Sequence, residues 1–268
     1  MSSFARALRA YPTLLRVGFA DAVAYRVEFI IWILTTNMPL VMLALMRAVA
    51  RESPIGAFGT TELTAYYLTT LLVRLLTGCW VGYELVMDIR QGTLALRLLR
   101  PLHPLIAYSA ENVAGIPLRG LITLPLLGIL LATVGGGQLT HDPLLICIFV
   151  ISVALAWLMT FLIQATIGAL ALHIESSFSI SELYFGLFSV FSGYLIPLEL
   201  FPKWVQTLTN VLPFRFQLGF PVETLIGHLS RAEVLRELAI QIGWVGLLLA
   251  LLGFVWNTGI KRYQAFGG

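Results

Sequence analysis

The chain has 268 residues, of which 58% are hydrophobic and only 12% charged. A soluble domain of this length carries about 25% charged residues to cover its surface, so these values, with a mean hydropathy of +0.87, exclude a water-soluble globular protein. The formal net charge of +3 comes from residues flanking apolar runs, not from a basic stripe interleaved with aromatics, which excludes nucleic acid as a partner.

The N-terminal segment, residues 1–25, is amphipathic. Phe4, Leu8, Tyr11, Leu15, Phe19 and Ala22 recur at three-to-four-residue spacing, with Arg6, Arg9 and Arg16 on the other side. That pattern predicts a helix lying at a lipid interface; a helix against a soluble partner is the alternative. Pro12 is expected to kink it or to open its second part. Apolar runs of about 20 residues, enough to cross a core roughly 30 Å thick, follow at about 27–49, 63–83, 105–134, 144–172, 178–198 and 238–258. The first exceeds a signal-peptide core and is read as retained, despite Ala48-Val49-Ala50 after it. Pro39, Pro117 and Pro125 fall inside spans, where neighbouring segments can satisfy the freed carbonyls. Cys79 and Cys147 lie within apolar runs and show neither metal-ligand nor disulfide spacing.

Arginines set the orientation. Arg6, Arg9, Arg16 and Arg26, then Arg90, Arg97 and Arg100, then Lys261 and Arg262 fall on one side if the span number is even, and the positive-inside rule makes that side, with both termini, cytoplasmic. The turn at Gly135-Gly136-Gly137 carries no Lys or Arg, as an outer loop should. Against this, the 173–182 inner loop lacks basic residues, and the outer stretch contains Lys203, Arg215, Arg231 and Arg236. The expected fold is an all-α membrane protein, a single unit over residues 1–268 with about six transmembrane helices. To these it adds the interfacial helix, a cytoplasmic coupling loop at 84–104, and an external re-entrant element with its loop at 199–237.

Two interruptions of the apolar pattern could carry function. In the loop after the second span, Gly92 permits a tight turn, Thr93 can cap a short helix and Pro101 stops it. Leu94 and Leu98 would share one face of that helix, with Arg97 and Arg100 marking the charged side. This reads either as a mechanical contact for a cytoplasmic partner or as a connector anchored to lipid. After the fifth span, Gly193 and Pro197 should end the helix early. Phe201, Trp204, Leu208, Val211 and Leu212 then form an apolar face, with Trp204 at the headgroups. A plain external amphipathic loop is the alternative.

With Asp88-Ile89-Arg90-Gln91-Gly92 leading to Leu99-Arg100-Pro101, and the run from Ser192 to Pro213, the chain resembles the permease subunits of ABC-2 type ATP-binding-cassette transporters over nearly its whole length. The resemblance implies that Asp88, Arg90, Gln91, Gly92, Arg97, Arg100 and Pro101 dock a separate ATPase. It implies that Gly193, Pro197, Glu199, Pro202, Trp204 and Pro213 build the external closing element. It also implies two permeases paired around a path, with two ATPase copies that bind ATP and Mg2+. This chain itself would need no cofactor. The chain looks closest to the subgroup with two different permeases, although a homodimer is the other possibility. The expected location is a prokaryotic inner or cytoplasmic membrane, and the expected cargo an exported apolar or amphipathic molecule such as a drug, lipid or peptide.

Charges inside the spans are costly if they face lipid. Arg74, Glu111 and Arg119 are such charges, and Glu111 could pair with Arg74 if spans two and three touch. They read as a polar path or gate, or as a packing pair. Tyr184, Phe188 and Phe191 share a helical face near Tyr194, suiting an amphipathic cargo path or ordinary packing. Two other functions compete. A secondary transporter would predict repeated halves with paired broken helices, and no repeat is evident. A membrane-embedded lipid-modifying enzyme would need an acid-base set, but His103, His141, His173 and His228 are scattered, without H-E-x-x-H or G-x-S-x-G.

Overall fold

A computed structural model describes residues 3–24, 37–134, 137–174 and 177–263. Arg26, the first part of the expected first span, Gly135, Gly136 and Glu175 lie outside the described residues, as do the side chains of Phe4, Arg6 and Leu8. The described chain is helical, with one isolated bridge between Ile55 and Phe58 and no strand. The helices, in order, are α1 Ser3–Ala24, α2 Met38–Ala50, α3 Thr60–Thr77, α4 Val81–Arg90, α5 Leu94–Leu98, α6 Pro104–Ala114, α7 Ile116–Val134, α8 Pro143–Ala169, α9 Ser177–Phe191, α10 Lys203–Val211, α11 Pro213–Gln217, α12 Gly219–Leu225 and α13 Arg231–Gly259. By length and composition, three stretches suffice to cross a membrane: Thr60–Arg90, Pro143–Leu172 and Arg231–Arg262. Met38–Ala50 and Ser177–Phe191 are shorter apolar helices.

Helix α1 runs through Pro12 as one element, against the expectation of a second start there. It packs along α6, where a Cβ on Gly18 would stand 3.0 Å from the Ala114 Cβ. The third expected span is two helices, because the chain turns at Gly115. Pro117 therefore occupies the first turn of α7, where a missing N–H costs nothing.

Helix α3 is the centre of the molecule. Leu63, Tyr67, Val73 and Leu75 are fully enclosed, and α2, α7, α8 and α12 surround it. Its continuation is broken at Gly78–Cys79–Trp80 before α4 begins. The second expected span, at about 63–83, lies within the stretch Thr60–Arg90 and contains this break. Helix α4 lies against α8 through small residues: a Cβ on Gly168 would come within 3.0 Å of the Gly82 carbonyl oxygen. Such contacts let backbones approach where lipid supplies no hydrophobic drive.

The longest packing seam joins α8 and α13. Beyond the charged first turns of α13 both helices are apolar on every side, so position along the seam is fixed by polar groups. The Gln241 amide donates to the Ser152 carbonyl at 3.0 Å and to the Phe216 carbonyl at 2.9 Å. At one end Arg231 donates to Asp142 at 2.5 Å, which holds the Asp142 carboxyl below its usual range. Ser230 and Glu233 cap each other at the start of α13.

Candidate functional site

Three polar assemblies interrupt the apolar packing. The first closes the break between α3 and α4. The Asn112 side chain of α6 accepts from the Trp80 amide at 3.0 Å and from the Cys79 thiol at 3.4 Å. It donates to the Glu84 carboxylate at 3.0 Å and to the Tyr108 carbonyl at 3.0 Å. The buried Arg119 guanidinium donates to the Gly78 carbonyl. A helix broken inside a membrane must have its freed N–H and C=O groups satisfied by neighbours, and Asn112 and Arg119 do this. Arg119 thus serves the backbone.

The second assembly lies just beyond, at the α5 end of the bundle. Gly92 adopts φ +75°, which turns the chain after α4 so that α5 folds back over it. Arg97 binds Asp88 at 2.8 Å and Glu111 at 2.8 Å, and its guanidinium lies 4.2 Å from the centre of the Tyr108 ring. The Tyr108 hydroxyl donates to Asp88, as does Thr93 at 2.6 Å. Two expectations are corrected here. Glu111 pairs with Arg97 instead of Arg74, because the loop and not the second span reaches it. Arg97 also points inward, so the outer surface of the loop consists of Gln91, Leu96, Leu98, Leu99, Arg100 and Pro101. Leu99 is 82% exposed. Arg90 stands over the Phe178 ring at 4.8 Å, linking this end to the start of α9.

The third assembly is at the opposite end. Gly193 has φ +85°, and a Cβ there would sit 2.5 Å from the Tyr66 hydroxyl. That hydroxyl donates to the Gly193 carbonyl at 2.7 Å, and the Tyr67 hydroxyl donates to the Leu195 carbonyl at 2.8 Å. Pro197 and Pro202 precede the next two helical pieces. Helix α10 buries Val205 and Thr209 and turns Leu208, Val211 and Trp204 outward, the last 72% exposed. Pro213 opens α11. The buried part of this region is not α10 but α11 and α12, whose residues from Arg215 to Leu225 are all enclosed. Arg215 there binds Glu223 at 2.6 Å and Glu237 at 3.0 Å. Glu199 meets His228 at 2.8 Å, and that bond raises the His228 pKa above its ordinary value of 6.5.

Tyr184, Phe188 and Phe191 of α9 pack within the chain. Tyr184 and Phe188 are buried against Phe214 and Tyr194 respectively, and the Tyr184 hydroxyl donates to Gln217 at 2.6 Å. Phe191 stacks on Phe214 at 6.4 Å. This face of α9 therefore grips α11, and the surface left open is Leu183, Phe185, Leu187 and Val190. Arg74 lies over the Phe188 ring at 5.5 Å.

Sequence reasoning missed Asn112, Tyr66, Tyr67, Gln217 and the Arg215 group. A signal was available for the last: Arg215 and Glu223 are charges in an otherwise apolar stretch, opposite in sign and flanking Gly219.

A protein-family model described as ABC-2 family transporter protein matches residues 32–267. A search of curated proteins gives no match.

Proposed function

We propose that this chain, which belongs to the ABC-2 family of transporter proteins, is a permease that exports an apolar or amphipathic cargo. Membership makes it a membrane-embedded transport component and implies an ATPase partner. The finer reading has the ATPase docking on the surface formed by Gln91, Leu96, Leu99, Arg100 and Pro101. Arg97 and Asp88 hold that surface to the bundle. ATP and Mg2+ bind on two ATPase copies, and a second, non-identical permease completes the path. The chain crosses a prokaryotic cytoplasmic membrane about six times, with both termini inside, and performs no chemistry itself.

One observation carries this reading. The docking surface is tied through Arg97 to Asp88 and Glu111, and the same α6 helix that carries Glu111 carries Asn112, which holds the break between α3 and α4. A push on α5 is therefore transmitted to the C-terminal end of the most buried helix without passing through lipid. A driven switch requires contacts that differ between its two states, and this network supplies contacts that can exchange.

The test is copurification and transport. Leu99→Asp on the outer surface should abolish ATPase association. Arg97→Glu, placed between Asp88 and Glu111, should detach the loop and stop ATP-driven transport. If both variants retain ATPase association and transport, docking through this face is wrong. Transport by the chain alone on an ion gradient, in vesicles without ATP, would favour the secondary-transporter reading.

A further inference from the structure

A notch of about 260 Å3 opens between α4 and α9, walled by Trp80, Tyr83, Gln164, Phe178 and Phe185 and edged by Glu182. A smaller recess of about 10 Å3, the room of about one water, shares Cys79, Gln164 and Phe185 with it and ends on Arg74, Thr160, Tyr184 and Phe188. Arg74 differs from the other arginines at such positions. Arg97 and Arg215 each bind two carboxylates and Arg119 holds the Gly78 carbonyl, whereas among the described residues no carboxylate pairs with Arg74. Its neighbours are the Phe188 ring and the Tyr194 hydroxyl. A ring face attracts a guanidinium but does not neutralise it, and a charge held inside a span without an opposite charge marks a functional position.

We propose that Arg74 is the counter-charge for the cargo: an amphiphile with an anionic headgroup enters the notch and its carboxylate or phosphate faces the Arg74 guanidinium across the small recess, which has room for one bridging water. The hydrocarbon part then lies on Tyr83, Phe178 and Phe185. The surrounding charges favour an anion. Arg119 stands on the neighbouring Gly78 carbonyl and Arg90 over Phe178. Glu84 is engaged by Asn112. Glu182 is exposed, so solvent screens it more than the half-buried Arg74. This inference rests on the transport reading above and narrows its cargo to anionic amphiphiles.

The experiment uses the purified full chain in nanodiscs and two bromine-labelled probes of equal chain length, 11-bromoundecanoate and 11-bromoundecyltrimethylammonium. Quenching of Trp80 is taken as the difference between the native chain and Trp80→Phe. The anionic probe should quench Trp80 at lower concentration than the cationic one. Arg74→Met should weaken the anionic probe by roughly tenfold or more, as expected for loss of a charge-assisted hydrogen bond, and Arg74→Lys should retain the preference. Equal quenching by both probes in the native chain, or an unchanged anion response in Arg74→Met, overturns the proposal. If Arg74→Met does not yield folded protein, the native probe comparison and Arg74→Lys still decide. Because binding is read without the ATPase, failure of ATPase docking leaves this result standing, and failure here leaves the docking reading standing.

Discussion

The two ends of the bundle each place an arginine between two carboxylates, and they do so in opposite environments. At the α5 end the side chains of Arg97, Asp88 and Glu111 are 23%, 20% and 32% exposed. At the α10 end those of Arg215, Glu223 and Glu237 are 8%, 8% and 13% exposed. Coulomb attraction at similar distances is therefore screened at one end and hardly screened at the other. Partly exposed pairs contribute about 0.2–1 kcal/mol each and can be exchanged for water or a partner's charges. Breaking a buried pair by removing one member costs about 3–5 kcal/mol. The same chemistry thus gives a joint at the α5 end and a rivet at the α10 end.

The largest effect should come from the rivet. Arg215→Met leaves Glu223 and Glu237 buried without a counter-charge, and a loss of about 3–5 kcal/mol should appear as aggregation on gel filtration in mild detergent. Adding Glu223→Gln and Glu237→Gln should restore a monodisperse protein. If Arg215→Met alone melts like the native chain, the contrast between the two ends is broken. Asn112→Leu should have the next largest effect, about 1–3 kcal/mol, because it orphans the Trp80 amide and the Glu84 carboxylate. It should lower the melting temperature while leaving ATPase association intact, since the α5 surface is not touched. Loss of association in that variant would mean that the joint extends further than the Arg97 contacts.

The smallest effect concerns pH. The Glu199–His228 contact raises the His228 pKa above 6.5, so its stabilisation is complete below that value and is lost as pH rises through the higher folded pKa. Both partners are partly exposed, so about 0.2–1 kcal/mol is at stake. The native chain should lose more thermal stability than Glu199→Gln between pH 6 and the upper end of that window. Identical pH profiles would remove this contact from the description of the α10 end.

Punctuation was legible in the sequence and pairing was not. Gly92, Pro101, Gly193, Pro197 and Pro213 impose local backbone geometry, so the turn after α4 and the interruption after α9 follow from residue type alone. The helical character of the apolar runs follows from their length. Facing does not follow, because α8, and α13 beyond its charged first turns, are apolar on every side and offer no polar stripe to read. Residue type likewise left Tyr184 and Phe188 open between a cargo path and ordinary packing, and placed Arg97 with Arg100 on the charged side of its helix, whereas it turns in. The break at Gly78 carried no proline to mark it; the groups that make it tolerable, Asn112 and Arg119, are more than 30 residues away. The Arg74 recess was legible only as an isolated charge in an apolar run.

The hydroxyls of Tyr66 and Tyr67 find their carbonyl partners 127 and 128 residues later in the chain. At about 5–20 residues per second, a ribosome needs on the order of ten seconds to supply that segment. During that interval the central helix already lies in or near the membrane with two phenolic groups and its flanking threonines lacking their final neighbours. Biogenesis of this protein therefore has a waiting step, in which α3 must be sheltered by the insertion machinery or linger at the interface until α9 arrives. A chain that stalls before residue 193 leaves behind its most interior helix without an interior.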